Sequence, residues 1–239
     1  IYYTRSQDSL LPANVYPSAQ RTDSSIVTEH VRQLNLGCPC DVNNGAASMT
    51  GAKIEGKDII YVCKLNEVTR IAPNLLAEQI KKTQRTFILY QYVIHTGIED
   101  EYNSAIIDGG YDLVLVYEFV DGTKKEIRIS NSENKAIREF ALKQPKKALQ
   151  EYLDLNVWSI NQGLPVDIDE GMTLVKIKRA NKWVDFVVEI DRDMYSLDKI
   201  RECKEEFLRD DILKFVKMYY RPILESCKKG KLGFRYRFK

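Results

Sequence analysis

The chain has 239 residues, a formal net charge of +2 and 44% hydrophobic residues, values that exclude a disordered chain and a fibre. No apolar run approaches the roughly 20 residues that a transmembrane helix needs, and so small a net charge does not indicate a general polyanion-binding protein. The charge is uneven, since residues 1–130 carry a net −3 and residues 131–239 a net +5.

Residues 1–23 precede the first periodic pattern and are interpreted as an N-terminal extension. The chain opens with Ile1-Tyr2-Tyr3 rather than Met, which resembles the trailing edge of an apolar segment. This start indicates a removed signal peptide or membrane anchor. A trimmed cytosolic protein is the alternative.

A short segment occurs twice in the sequence. Residues 34–45 and 160–171 share the pattern N-x-G-x-P-x-D-[VI]-[ND]-x-G, and the similarity continues into residues 57–65 and 182–190. Similarity that persists in the same order predicts an internal repeat. The predicted organisation is a first unit over 24–130, a helical connector over 131–145 and a second unit over 146–239.

Each unit is predicted to be α+β, a tandem duplication of antiparallel strands packed against helices. A short opening helix is expected over 24–33 and 146–156, where Pro145 suits a first helical turn. A hairpin is expected over 48–65, turning at Glu55-Gly56, and over 174–190, turning at Ala180-Asn181. The long amphipathic helix that follows is predicted to begin near Pro73 in the first unit and after an N-cap at Ser196 in the second.

The last strand of each unit alternates apolar and polar residues. Aligned at one common offset, its apolar positions are Leu113, Leu115, Tyr117 and Phe119 in the first unit and Leu232, Phe234, Tyr236 and Phe238 in the second. Period two predicts a half-buried strand whose rings face the core. The first unit adds a partner strand over 124–130 through the Asp121-Gly122 turn, and no counterpart follows in the second.

The candidate catalytic residues are Cys38 and Cys40 with His95, which would make a thiol-dependent hydrolase if a histidine lay within hydrogen-bond reach of a thiol. The repeat argues against this, because Cys38, Cys40 and Cys63 align with the aliphatic Leu164, Val166 and Val188. Buried apolar packing is therefore favoured, with a disulfide from Cys63 to Cys38 or Cys40 as the alternative in an exported protein. His95 is expected at a helix end, where a cation meets free carbonyls favourably.

Two further groups of polar residues have a structural interpretation beside a functional one. Asp41 and Asp167 lie within the repeated motif, and capping of nearby backbone amides is favoured over acid-base catalysis. The tail over 228–239 interleaves six basic residues with three aromatic rings, a mixture found on nucleic-acid-binding surfaces. Alternation favours protection of a sheet edge, so polyanion binding by the basic C-terminal strand is the alternative.

The stretch from Asn35 to Gly45 followed by Tyr61, and its counterpart from Asn161 to Gly171, resemble short domains of an uncharacterised family of Bacteroidetes-type cell-envelope proteins. Those domains carry an Asn, a Cys-Pro and an Asp ahead of a hairpin, and in the second copy here Leu164 replaces the cysteine. The resemblance implies a periplasmic or extracellular location and no known activity. A removed N-terminal anchor would add membrane association, and a cytoplasmic location is the alternative.

These observations favour a non-enzymatic, envelope-associated protein that binds a protein or peptide partner. With only two histidines and no phosphate-cradling loop or hydrolase motif, neither a cofactor nor a metal is expected. Nucleic acid is disfavoured as a partner. A thiol-dependent hydrolase that uses Cys38 or Cys40 is the competing hypothesis.

Overall fold

Two mixed β-sheets and the helices packed on them form the described part of the chain, which in this computed structural model comprises residues 21–42, 47–66, 73–95, 101–196, 198, 202 and 220–239. The chain divides into two units, Ile1–Gln91 with Gly97–Glu139 and Tyr92–Thr96 with Phe140–Lys239. Each unit is α+β. Among the described residues, every helix is too short or too polar to cross a lipid bilayer.

The first unit holds a five-stranded sheet in the order β1-β2-β3-β4-β5. Its elements are α1 (Asp23–Leu36), β1 (Cys40–Val42), β2 (Ala47–Glu55), β3 (Asp58–Leu65), α2 (Pro73–Leu89), α3 (Glu101–Asp108), β4 (Asp112–Glu118) and β5 (Lys124–Ile129). The β3–β4 pair is parallel and the other pairs are antiparallel. Helix α1 begins at an N-cap, where the Thr22 side chain accepts a hydrogen bond from the Ser25 N–H, as short hydroxyl residues do at helix starts.

A π-helical turn, Tyr90–Ile94, continues α2, and helix α4 (Asn131–Lys143) covers the segment predicted as a connector. The boundary between the units falls within α4, after Glu139. Pro73 stands at the first position of α2, where its missing N–H leaves no intrahelical bond unmade. The long helix predicted after Ser196, together with Cys203, lies outside the described residues.

The second unit holds a four-stranded sheet in the order β6-β7-β8-β9. Its elements are α5 (Pro145–Asn161), β6 (Val166–Asp169), β7 (Met172–Ala180), β8 (Trp183–Ile190), α6 (Arg221–Gly230) and β9 (Gly233–Phe238). The β8–β9 pair is parallel and the others are antiparallel. The core lies between the sheet and the helices, where Leu153, Phe186, Val188, Ile223 and Cys227 are buried.

Strands β1–β4 and β6–β9 have the same order and the same pairing directions. A bulge interrupts β2 between Met49 and Gly51 and β7 between Leu174 and Lys176, at equivalent places in the two hairpins. The peptide bonds before Pro39 and Pro165 are both cis. The predicted likeness of these strands is therefore confirmed, whereas their origin by tandem duplication stays a prediction.

The register of the parallel pairs corrects the alignment of the last strands. Ile59 pairs with Leu113, and its hairpin counterpart Val184 pairs with Phe234. Phe234, not Leu232, is thus the equivalent of Leu113. The alignment was wrong by two residues because a period-two pattern matches itself after such a shift, which keeps every side chain on its face.

The asparagine of the repeated motif ties the opening helix to the hairpin. The Asn35 amide donates to the Ala52 carbonyl and accepts from the Ala52 N–H at 2.8 and 2.7 Å. Asn161 makes the same two bonds to Ile177, at 2.7 and 2.9 Å. In each unit this asparagine therefore bonds to the N–H and C=O of a hairpin residue that lies beyond the end of the short neighbouring strand, β1 or β6.

The aspartates of the motif act differently from the expected capping role. Asp41 Oδ1 accepts a hydrogen bond from Ser48 Oγ at 3.3 Å, and Asp167 Oδ1 accepts one from Thr173 Oγ1 at 2.8 Å. Each pair joins residues directly opposite on neighbouring strands, so the prediction of backbone capping was wrong. The motif has a structural role in both units.

Candidate functional site

The two cysteines proposed as nucleophiles, Cys38 and Cys40, lie with Cys63 against the core of the first unit. Cys63 is fully buried, Cys38 and Cys40 are partly buried against the same cluster, and all three are free thiols. Burial raises the pKa of the Cys38 thiol and raises that of Cys63 to about 11. Because the thiolate is the reactive form, this environment opposes nucleophilic chemistry.

The histidines lie in two different settings. His30, on α1, stacks on the Tyr102 ring with centroids 3.5 Å apart, and the hydroxyl of Tyr102 shares a short hydrogen bond with that of Tyr61. His95 follows the π-helical turn and belongs to the second unit. It lies in an open cleft of about 480 Å³ whose described lining also includes Ile94, Glu225, Lys228 and Lys229, with no cysteine among them.

Metal-ligating side chains do not cluster in the described ranges. No group of three or more His, Cys, Asp or Glu side chains is placed there to hold a metal ion. The surface with the most distinctive chemistry is instead the outer edge of the second sheet.

Strand β9 is the last strand of its sheet. Gly233 N donates to Lys182 O at 2.8 Å, and Lys239 N donates to Val188 O at 3.0 Å, so the odd-numbered residues of β9 bond to β8. Successive residues in a ladder direct their backbone groups to opposite sides. The N–H and C=O groups of Phe234 and Tyr236 therefore face away from β8, where none of the described strands pairs with them.

The first unit shows how the equivalent edge is covered. There β5 pairs with β4 so that Ile129 lies opposite Leu113 and Ile127 opposite Leu115. Leu113 and Leu115 are each only 6% exposed. The equivalent of Leu113 in the uncovered β9, Phe234, is 37% exposed, so an aromatic side chain borders the free backbone groups.

The core-facing prediction for the rings of β9 is therefore only partly confirmed. Tyr236 and Phe238 pack against the core cluster, but Phe234 is one of the exposed large hydrophobic side chains. The expectation for Phe234 was wrong because alternation assigns a residue to a face of the sheet, whereas burial at an edge also requires a covering strand.

The other face of β9 carries a buried carboxylate between two arginines. Asp185 on β8 has a side chain that is 0% exposed, and it accepts hydrogen bonds from Arg235 Nε at 2.7 Å and from Arg237 Nε at 2.8 Å. The hydrogen bond from Arg235 is the main factor that holds the Asp185 pKa below its usual value, and Arg237 adds to it. This arrangement fixes both guanidinium groups through Nε and directs no bond from their terminal nitrogens to Asp185.

Trp183 completes this arrangement at the start of β9. Its ring lies over Gly233, where an added Cβ would be 2.4 Å from a ring carbon, and the Arg235 guanidinium lies 5.1 Å from the ring centroid. Only glycine leaves room for the ring at this place. A cation over an aromatic face is attracted to it, so the ring and Asp185 together orient Arg235.

Lys239 extends the row of basic residues on the same face of β9. Its Nζ lies 3.1 Å from an oxygen of Glu189, and both side chains are more than half exposed. An ion pair so exposed is weak and exchanges readily with other partners. Arg235, Arg237 and Lys239 thus form a basic row, the name used below, beside the backbone groups of Phe234 and Tyr236 that no described strand pairs with.

Sequence reasoning placed the basic row on one face but missed Asp185. The available signal was an aspartate inside the apolar run of residues 183–190, opposite arginines at period two in residues 233–239. A charge in such a run requires a partner. Comparison of the chain with protein-family models, curated proteins and solved structures found no match.

Proposed function

We propose that this chain is a non-enzymatic binding protein whose second sheet accepts an extended segment of a protein or peptide partner as an additional strand along β9. The observation that carries the proposal is the combination of N–H and C=O groups at Phe234 and Tyr236 that pair with no described strand and a Phe234 ring that is 37% exposed beside them. Main-chain hydrogen bonds supply affinity in this binding mode, and the flanking side chains supply specificity.

The first unit supports this proposal from within the same chain. Strand β4 has the same place in its sheet as β9, and β5 covers its outer side. Ile127 and Ile129 of β5 are each only 3% exposed, so a strand at this place completes the core. A partner strand on β9 would do the same in the second unit.

The basic row argues against a second copy of this chain as the partner. Two β9 edges paired with each other would bring Arg235, Arg237 and Lys239 of one copy against the same residues of the other. Like charges directly opposite on neighbouring strands are destabilising. Size-exclusion chromatography at several salt concentrations measures this, and we expect a monomer at low salt.

The two alternative functions have less support. A thiol hydrolase that uses Cys38 is opposed by the raised pKa of that thiol. Polyanion binding by the C-terminal strand accounts for the basic row but not for the exposed Phe234 ring and the backbone groups beside it that no described strand pairs with. Steep salt dependence of binding to a nucleic acid would favour polyanion binding after all.

A periplasmic or extracellular location belongs to the same proposal. The resemblance of the Asn35 to Gly45 segment to envelope proteins supports it. Cell fractionation of the native host with an antibody against this chain is the test, and recovery with cytoplasmic markers would contradict it.

The experiment for strand addition uses a capped eight-residue peptide that alternates isoleucine and threonine. The protein has two tryptophans, Trp158 and Trp183, so the variant Trp158→Phe leaves only the fluorescence of Trp183, which lies beside Gly233 at the start of β9. We expect saturable changes in Trp183 fluorescence. We also expect slower amide exchange of Phe234 and Tyr236, whereas Arg235 and Arg237, which bond to β8, should exchange slowly with or without the peptide.

Two N-methylated versions of the peptide serve as matched controls. Because alternate residues of an added strand bond to the sheet, methylation of one alternate set of amides removes the bonding N–H groups. Methylation of the other set leaves them intact. Loss of binding with one set alone supports strand addition, whereas equal binding of both versions would contradict it.

A further inference from the structure

We infer that the partner strand runs antiparallel to β9 and alternates apolar side chains with acidic ones that face the basic row. This inference rests on the proposed strand addition and specifies the chemistry of the partner. It follows from a comparison of the two sheets, position by position.

The direction and the apolar positions come from the β4–β5 pair. That pair is antiparallel, and Leu113 and Leu115 face Ile129 and Ile127. The β9 residues at the equivalent register positions are Phe234 and Tyr236. Apolar partner residues opposite these two rings would cover the exposed part of Phe234, as Ile129 covers Leu113.

The acidic positions follow from a reversal of charge between the two sheets. In the first unit, Glu118 at the end of β4 lies opposite Lys124 of β5, with 3.5 Å between the charged atoms. In the second unit the equivalent place is held by Lys239. The matching side chain on an added strand is therefore acidic.

The second difference concerns the two aspartates that bind a basic residue of β5 in the first unit, because the second unit has no carboxylate at their places. Arg128 of β5 bonds to Asp58 at 2.7 Å and to Asp112 at 3.0 Å. The equivalents of these two aspartates are Trp183 and Gly233, which pair in the same register. A basic residue at the place of Arg128 would meet the ring of Trp183 and the guanidinium of Arg235 instead of two carboxylates.

Arg235 and Arg237 are positioned to bind carboxylates of the partner. Their Nε atoms are held by Asp185, and their side chains are 37% and 51% exposed. The planar guanidinium group bonds well to carboxylates, because its donors have a fixed spacing. Arg235, Arg237 and Lys239 thus offer successive positions, two residues apart, for acidic side chains of the partner.

The test compares three capped peptides of eight residues that alternate isoleucine with glutamate, threonine or lysine. Opposite charges across strands stabilise a pair and like charges destabilise it, so over three positions we expect the glutamate peptide to bind at least about tenfold more tightly than the lysine peptide. The threonine peptide should fall between them. The acidic assignment would be overturned if the lysine and glutamate peptides bound with the same Kd. Strand addition would stand in that case, provided that the threonine peptide also binds.

Failure of all three peptides to bind would instead remove the proposed function. The variant Lys239→Glu adds a second test, because Lys239 is exposed and lies outside the Asp185 contact. We expect its preference for glutamate over lysine to shrink several-fold. Lys176→Glu, the same charge change on β7, should keep the preference of the parent protein, and an equal loss in both variants would show only a general effect of net charge.

The direction of the strand is measured separately with a dansyl group at either end of the glutamate peptide. An antiparallel strand places its C-terminal end beside Trp183 and its N-terminal end beside Phe238. In the Trp158→Phe protein, the C-terminal dansyl group should therefore quench Trp183 more strongly. Stronger quenching by the N-terminal dansyl group would show a parallel strand and overturn this part of the inference.

Discussion

Asp185 is a carboxylate with no exposed surface, and its neighbours along β8, Val184 and Phe186, are apolar. Its counterpart in the first hairpin is Ile60, so the fold does not require a charge at this place. Burial of a carboxylate is unfavourable unless donors satisfy it, and here the two donors come from the proposed binding strand. Its effect is to hold Arg235 and Arg237 in fixed positions, which would reduce the side-chain entropy lost in the proposed binding.

The variant Asp185→Asn should lower the free energy of unfolding by about 2 kcal/mol at neutral pH, since it leaves two guanidinium groups without their carboxylate. Urea denaturation monitored by circular dichroism measures this. The matched control is Glu189→Gln, which removes an exposed carboxylate from the same strand. That change should cost less than about 0.5 kcal/mol.

The effect of Asp185 should also depend on pH. Its pKa is lowered in the folded protein, so its contribution is complete above the unfolded value of about 3.9 and is lost as pH falls through the lowered folded pKa. The stability difference between the parent and Asp185→Asn should therefore be constant from about pH 5 to 7 and begin to shrink below about pH 4. A difference that does not shrink at all between about pH 4 and pH 2 would show that packing, not charge, is responsible.

The thiols Cys38 and Cys40 have aliphatic counterparts, Leu164 and Val166, in the second unit. The double variant Cys38→Leu and Cys40→Val should fold and keep the peptide affinity of the parent, with a stability loss of about 1 to 3 kcal/mol from the added methylenes. Thermal denaturation and the fluorescence titration measure the two properties. A folded variant that loses a hydrolytic activity present in the parent would restore the thiol-enzyme hypothesis.

At the scale of elements, the asparagine of the repeated motif joins the opening helix to the hairpin. Asn161 bonds to both backbone groups of Ile177, a residue that is 1% exposed. Asn161→Ala would leave these buried groups without partners, at a cost of about 2 kcal/mol. Asn35→Ala should cost about half as much, because Ala52 is less buried than Ile177 and water can replace the lost bonds.

Chemical denaturation of the two single variants measures this difference, with Gln162→Ala as the control beside Asn161. Gln162 bonds only within its own helix end, so its loss should change stability by less than about 0.5 kcal/mol. An Asn161 variant as stable as the Gln162 variant would show that the two cross-element bonds do not contribute.

The sequence predicts the elements of this fold well, because hydrophobic period, turn residues and a repeated motif all act locally. The hairpins turn at Gly56-Lys57 and Asn181-Lys182, within one residue of the predicted places, and Pro73 and Pro145 begin their helices. The two-residue shift between Leu113 and its counterpart was not detectable, since alternation alone does not fix register. Register depends on pairing between strands that are distant in sequence.

The candidate site is harder to predict for the same reason. Alternation predicts that residues 235 and 237 share a face. Their contact with Asp185, however, requires the parallel pairing of β8 and β9, in which paired residues are 50 positions apart in the sequence. The exposure of Phe234 depends on the strand beside it. Both properties arise from the arrangement of whole strands.

At the scale of the whole molecule, the described parts of the two units differ at the outer edge of one strand. In the first unit, residues 119–123 turn the chain from β4 into β5. In the second, the register of the parallel pairs makes Lys239 the counterpart of Glu118, the last residue of β4. The chain thus contains one sheet with its edge covered and one with the equivalent edge free among the described residues.

This difference allows the binding strand to be supplied in cis. A chain extended after Lys239 by the turn sequence of residues 119–123 and six residues that alternate glutamate and isoleucine should fold back along β9. Each buried isoleucine contributes about 1.5 to 3 kcal/mol, most of which is offset by the entropy of ordering the added residues. We expect the second unit to gain about 2 kcal/mol in stability and the extended protein to lose affinity for the free glutamate peptide.

The matched control has the same extension with lysine in place of glutamate. Its side chains would lie opposite the basic row, so it should stabilise the second unit less and leave more of the peptide affinity. Denaturation monitored by Trp183 fluorescence in the Trp158→Phe background, together with the peptide titration, distinguishes the two extensions. The two extensions are compared by how far each lowers the affinity for the free glutamate peptide. An equal loss would show that backbone pairing alone determines what β9 binds and that the basic row has no part in the choice of partner.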